Sequence, residues 1–148
     1  MAALFGAAIS VYLTQVHYAA APLFCPPALV FNCGTVLQSA FSLVPGTAVA
    51  ITIPGLAWFA GSALLAVAAH RAAGRSDATY RRLAFIHLAW SGAGVLGVLY
   101  LVFAELVVLH QVCEWCTVVH VLMVSTFLLA LQRVQRLAPA GPSREYLA

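Results

Sequence analysis

Cys25, Cys33 and the pair within Cys113-Glu114-Trp115-Cys116 are the residues of this chain whose types and spacings fit a reaction. Two cysteines three apart at the start of a helix can open and close a small disulfide ring, and the helix N-terminus favours the first thiolate. The helix dipole contributes ~0.3–1 kcal/mol, less than the ~1.4 kcal/mol of a full pKa unit. Glu114, set between the cysteines, opposes it by like charge, so the balance stays open at this level. Zinc sites use the same spacing. Cys25 and Cys33 flank a segment that begins Pro26-Pro27, which holds the chain extended or turned. Taken alone, that pair reads as a structural staple. Taken with a second pair on the same face, it reads better as a partner in thiol–disulfide exchange, in which thiolate attack on a disulfide relays two electrons.

Composition says what must hold these thiols. The chain is 64% hydrophobic and 7% charged, and all seven of its basic residues are arginines. A soluble domain of this length cannot hide so much apolar surface, so the expected class is an all-α integral membrane protein. A spanning helix needs ~20 mostly apolar residues. Four stretches qualify, at about 2–21, 44–69, 83–109 and 112–131, with an outer loop at about 23–43. None alternates as a membrane barrel strand would. The expectation is one domain over residues 1–148: a four-helix bundle with an extracytoplasmic loop and a short interfacial helix between helices one and two.

The arginines orient it. Arg71, Arg75, Arg81 and Arg82 lie between helices two and three, and Arg133, Arg136 and Arg144 follow helix four. All fall on one side, which the positive-inside rule makes cytoplasmic. Both termini are then inside, and all four cysteines face the compartment where disulfides persist. The net charge of +3 follows from this asymmetry and implies no nucleic acid. Tyr18-Ala19-Ala20-Ala21 resembles a signal-peptidase site, but the start lacks a positive charge and Gln15 and His17 interrupt the apolar run, so the first helix is read as retained. Helix three is ~40 Å long at ~1.5 Å per residue, against ~30 Å of hydrocarbon, so it tilts or protrudes. Gly92, Gly94 and Gly97 line its inner half at spacings that admit a neighbouring helix.

Three further segments complete a pattern. Ser10-Val11-Tyr12-Leu13 with His17-Tyr18, the run Cys33-Gly34-Thr35-Val36-Leu37-Gln38-Ser39, and Glu114-Trp115 followed by Thr117-Val118-Val119-His120 together resemble the vitamin K epoxide reductase family in its bacterial form. The resemblance covers nearly the whole chain and agrees in cysteine order. It implies a membrane thiol–quinone oxidoreductase of the bacterial inner membrane. A separate thioredoxin-fold partner would deliver electrons to Cys25 and Cys33, which would pass them to Cys113. Cys116 would face a menaquinone or ubiquinone, with Ser39 hydrogen-bonding its oxygen. Two departures matter. Members that reduce the epoxide carry a tyrosine four residues after the Cys-x-x-Cys, where this chain has His120. The run from Val44 to Gly55 lacks the asparagine that vertebrate members offer the quinone.

The polar residues of the spans are open to two readings each. His120 shares a helix face with Cys116 and titrates in a range useful for quinone chemistry, or it is an ordinary packed histidine. Glu105 relays one of the two protons a quinol needs, since ionisable groups within spans mark such paths, or it packs protonated against a polar neighbour. His70 and His87 read as cytoplasmic interface residues, and Trp58, Trp90 and Trp115 as packing or interface anchors.

A rival function is metal binding, with His110, Cys113, Cys116 and His120 as ligands. It leaves Cys25 and Cys33 without a purpose. A structural subunit whose disulfides are staples is a second rival. A third is the unrelated bundle of disulfide-forming quinone reductases, whose Cys-x-x-Cys usually lies in the first outer loop; here it comes last.

Overall fold

Ser76 and Pro45 punctuate the chain more sharply than hydropathy does. The computed structural model describes residues 2–19, 23–25 and 31–137. Arg144, the Pro26–Val30 segment and the Ala20-Ala21 end of the signal-like motif lie outside them. Helix α1 spans Ala2–Ala19, a short α2 spans Cys33–Leu37, and a 3-10 turn covers Ala40–Ser42. Helix α3 spans Thr52–Ala72, α4 spans Asp77–Phe103 and runs on as a π-helical segment, Ala104–Leu109, and α5 spans Glu114–Leu137. Among the described residues there is no strand.

The second long helix begins at Thr52, eight residues later than hydropathy predicts. Pro45 lacks a backbone N–H, and Gly46 takes φ +78° in a turn where Val44 N–H meets Val49 O at 2.8 Å. Leu43 then bridges Ala50, and Ile51 N–H donates to Ser42 O at 2.7 Å. The third begins at Asp77, six residues early, because the Ser76 hydroxyl caps it through Thr79 N–H and Asp77 faces the positive helix end. The fourth extends to Leu137, where Arg133 and Arg136 carry it beyond the apolar run.

Helix α1 packs on α3 and α5, and α4 packs on α3 and α5, closing a four-membered ring. Leu4, Leu64, Leu96 and Leu128 point outward, whereas Ser10, Ser62, Ser91, Glu105, His120 and Thr126 are buried. Such a distribution suits a lipid surround. Ser10, Thr14 and Thr126 hydroxyls donate to the carbonyl four residues back, so they need no water. Among the described residues, three helical stretches, Thr52–Ala72, Asp77–Leu109 and Glu114–Leu137, are long and apolar enough to cross a membrane, which makes the chain a multi-pass membrane bundle.

Tryptophans lock α3 to α4. Trp58 Nε1 donates to Trp90 O at 3.1 Å, and Trp90 Nε1 donates to Trp58 O at 3.2 Å. Gly94 makes room: a Cβ there would lie 2.5 Å from the Trp58 ring. The other two glycines singled out from spacing are less tight, with Gly92 at ordinary contact distance and Gly97 open. His87, read from sequence as an interface residue, is instead buried in the bundle.

Candidate thiol–disulfide site

The arginine-bearing and cysteine-bearing ends of the bundle are opposite ends of α4 and α5. At the first, Arg81 reaches Leu137 O at 3.5 Å. At the second, all four cysteines converge.

Cys33 opens α2, capped by the Asn32 side chain on Thr35 N–H at 3.1 Å. His17 Nδ1 lies 3.1 Å from Leu37 O and ties that short helix to α1. Cys33 is bonded to Cys25 in a disulfide, while Cys113 and Cys116 are free thiols. Cys33 (1% exposed) and Cys113 (0%) share one buried cluster with Leu13, Val36 and Leu37, and Cys25, Trp115 and Cys116 pack against it. Cys25 is partly exposed and Cys33 is buried, so Cys25 is the more open residue of the loop disulfide.

The loop is seated on the Cys-x-x-Cys from both sides. Phe24 N–H donates to the Tyr12 hydroxyl at 3.1 Å, and Trp115 Nε1 donates to Phe24 O at 3.0 Å. The Tyr12 and Trp115 rings meet edge-on with centroids 5.4 Å apart. On the far side of the disulfide, Phe31 bridges Val112, and Asn32 N–H donates to Val112 O at 3.1 Å. Trp115, read from sequence as a packing or interface anchor, and Tyr12, noted only within the first-helix run, both hold the loop through Phe24.

The turn that presents Cys113 is built by Glu105. The π-helical segment lets its carbonyl accept from both His110 and Gln111, the latter at 3.0 Å, with His110 at φ +51°. Its carboxylate accepts Cys113 N–H at 3.3 Å. Such π segments recur at functional sites. The Cys113 thiol is held below the usual cysteine range, chiefly by the hydrogen bond from the Cys116 thiol, with the Cys116 N–H at 3.3 Å also pointing at its sulfur. Burial and the Glu105 carboxylate oppose this. The acidic residue that works against the thiolate is therefore Glu105, eight positions away, rather than the adjacent Glu114.

Two cavities border Cys116. The larger, about 230 Å³, is lined by Ser10, Thr52, Trp58, Gly94 and His120 among others. The smaller, about 40 Å³, is lined by Ser42, Thr52 and Glu105 beside Val36, Leu37 and Phe41. His120 is buried and faces the larger. Ser39 borders neither: its hydroxyl donates to Val36 O at 2.7 Å, and Ser42, three residues on, faces the smaller cavity instead. Thr52, unremarked in the sequence, borders both and pairs with Thr14 at 2.7 Å between hydroxyl oxygens.

The metal reading gathers no support from this geometry. His110 is exposed with Nδ1 3.1 Å from Leu106 O, and among the described residues no three His, Cys, Asp or Glu side chains are grouped to hold a metal ion.

A family model decides the class. The model of the vitamin K epoxide reductase family matches residues 1–131, from α1 through most of α5. The chain belongs to the vitamin K epoxide reductase family. Membership makes it a membrane thiol oxidoreductase, and the Cys25–Cys33 disulfide beside two free thiols is the arrangement such chemistry needs. No curated protein sequence matches the chain significantly.

Proposed function

We propose that this vitamin K epoxide reductase family member is a four-span thiol–quinone oxidoreductase of a bacterial inner membrane, with its arginine end cytoplasmic and its cysteine end outside. The carrying observation is that Cys33 and Cys113 share one buried cluster while Cys116 borders a 230 Å³ cavity. A thioredoxin-fold dithiol attacks the Cys25 sulfur, leaves oxidised, and leaves Cys25 and Cys33 reduced. The Cys33 thiolate attacks Cys113 of a Cys113–Cys116 disulfide and releases Cys116; Cys25 then attacks Cys33 and frees Cys113. The outcome is the state described above, with the loop pair oxidised and both inner thiols free.

The larger cavity exceeds the ~150 Å³ that holds a benzene ring in a protein core, so a one- or two-ring quinone head fits. Its walls are mostly apolar with a few polar groups, as small-molecule sites are. A quinone bound there accepts two electrons and two protons to become a quinol. Cys116 lies at its edge and His120, one turn on, offers a ring nitrogen to a quinone oxygen. Trp58 forms a fixed wall, because the paired indole bonds leave it no freedom.

A trapping experiment tests the relay. Cys25→Ser with Cys116→Ser leaves one sulfur of each pair. Mild oxidation should join Cys33 to Cys113 in high yield, read by peptide mass mapping. Recovery of both as free thiols would remove the relay.

A further inference from the structure

Glu105 is 5% exposed, and its carboxylate already serves Cys113 N–H. It also lines the 40 Å³ cavity, which shares Ile51, Thr52, Leu101 and Cys116 with the larger one. The wall of the small cavity is mostly apolar, and Ser42, Thr52, Glu105 and Cys116 are the polar or ionisable residues among those that line it. Thr52 and Cys116 each border both cavities, so a hydroxyl and a thiol are the polar groups shared by the two.

We propose that Glu105 is the proton donor for quinol formation, acting through the small cavity and the Thr52 hydroxyl, with the outer aqueous compartment restoring its proton. This rests on the quinone reading above. The reaction balances as follows. The Cys113 thiolate and the Cys116 thiol close their disulfide, giving up two electrons and one proton. Glu105, entering this step as the neutral acid, gives up the second proton, and the products are quinol, the Cys113–Cys116 disulfide and the Glu105 carboxylate. A donor is needed because Cys113 leaves the exchange step as a thiolate and brings no proton of its own.

The titratable groups facing Glu105 are Cys113 from the turn and Cys116 from α5. The remaining elements bring Val36, Leu37, Phe41, Ser42, Ile51 and Thr52 to the small cavity, none of which ionises near neutral pH. Glu105 and the two thiols therefore set the local pH response.

The test is Glu105→Gln, which keeps an oxygen for Cys113 N–H but cannot give up a proton. It is read beside Glu105→Ala, which loses both, in detergent-solubilised full-length protein with a soluble short-tail quinone. Two rates are measured: Cys25/Cys33-to-Cys113/Cys116 exchange without quinone, and quinol formation against pH. Glu105→Gln should lower quinol formation about 100-fold, the scale of general acid catalysis, while exchange falls less than threefold. Thr52→Val should lower quinol formation in the same direction. Wild-type quinol rates in Glu105→Gln across the pH range would overturn the proposal. So would equal loss of both rates in Glu105→Gln and Glu105→Ala, which would leave Glu105 as a builder of the turn. Absence of quinol from the wild type would instead defeat the quinone reading itself.

Discussion

Trp115 Nε1 donates to the carbonyl of Phe24 at 3.0 Å, joining residues 91 positions apart and tying the loop beside Cys25 to the helix that carries Cys116. A single hydrogen bond contributes about 0.5–1.5 kcal/mol net. Trp115→Phe keeps the ring against Tyr12 and removes only the N–H. Exchange between the two cysteine pairs should slow about threefold to tenfold, measured by thiol alkylation at timed quenches. Reduction of Cys113–Cys116 by a small dithiol that bypasses the loop should slow less. Equal slowing of both would assign Trp115 to the stability of α5.

Tyr12→Phe is the complementary change. It leaves Phe24 N–H without its acceptor and keeps the edge-on ring contact. Exchange should again slow severalfold, and because both aromatic residues hold the same residue, the double variant should be non-additive. Independent, additive effects would contradict a shared clamp.

The Cys113 thiol titrates below an ordinary thiol because the Cys116 thiol hydrogen-bonds its sulfur. The sign is that of an acid with a depressed folded value. Any stability it lends is present above the unfolded thiol range, about pH 8.5, and fades as pH falls through the folded value. Cys116→Ala removes the first of these causes, so the thiolate absorbance of Cys113 should appear at higher pH in that variant. A midpoint that stays put would assign the shift to the backbone N–H groups.

Gly94→Ala should be costly. Its methyl would press on the Trp58 ring, which both closes the α3–α4 contact and walls the larger cavity. Overpacking of this kind costs about 1–3 kcal/mol, so Tm in detergent should fall by several degrees and the KM for a soluble quinone should rise. A fall in Tm with an unchanged KM would separate the wall from the binding site.

His120→Leu keeps bulk beside Cys116 and removes the ring nitrogens. Loss of one hydrogen bond to a quinone oxygen should lower kcat/KM up to about tenfold, with inter-pair exchange nearly intact. A kcat/KM within twofold of wild type would make His120 a packing residue.

Much of this site was legible in the chain. Apolar run lengths located the four long helices, and the arginines marked the end opposite the cysteines, because lipid demands continuous apolar segments whatever the tertiary contacts. The cysteine order and the residues around it carried the family. Hydropathy failed between Val44 and Ile51, where apolar side chains sit on a backbone that Pro45 and Gly46 turn away from helix. The π-helical register of Ala104–Leu109 had no local signature, because it depends on where the Cys113 turn takes its hydrogen bonds. For the same reason Glu105 was visible as an ionisable residue within a span, but its contact with Cys113 was not. Ser39 and Ser42 stand three apart on a tight turn, and only its 3-10 geometry sets which one faces inward.

Quinol formation by the purified protein in detergent, driven by a reduced thioredoxin-fold donor and compared between wild type and Cys116→Ser, decides whether electrons pass from the cysteine pairs to a quinone through Cys116. Wild type should form stoichiometric quinol and Cys116→Ser should lose more than 100-fold, with the Cys25–Cys33 disulfide still reducible by the donor. Quinol at the uncatalysed rate from wild type, or at an equal rate from Cys116→Ser, would contradict that electron path.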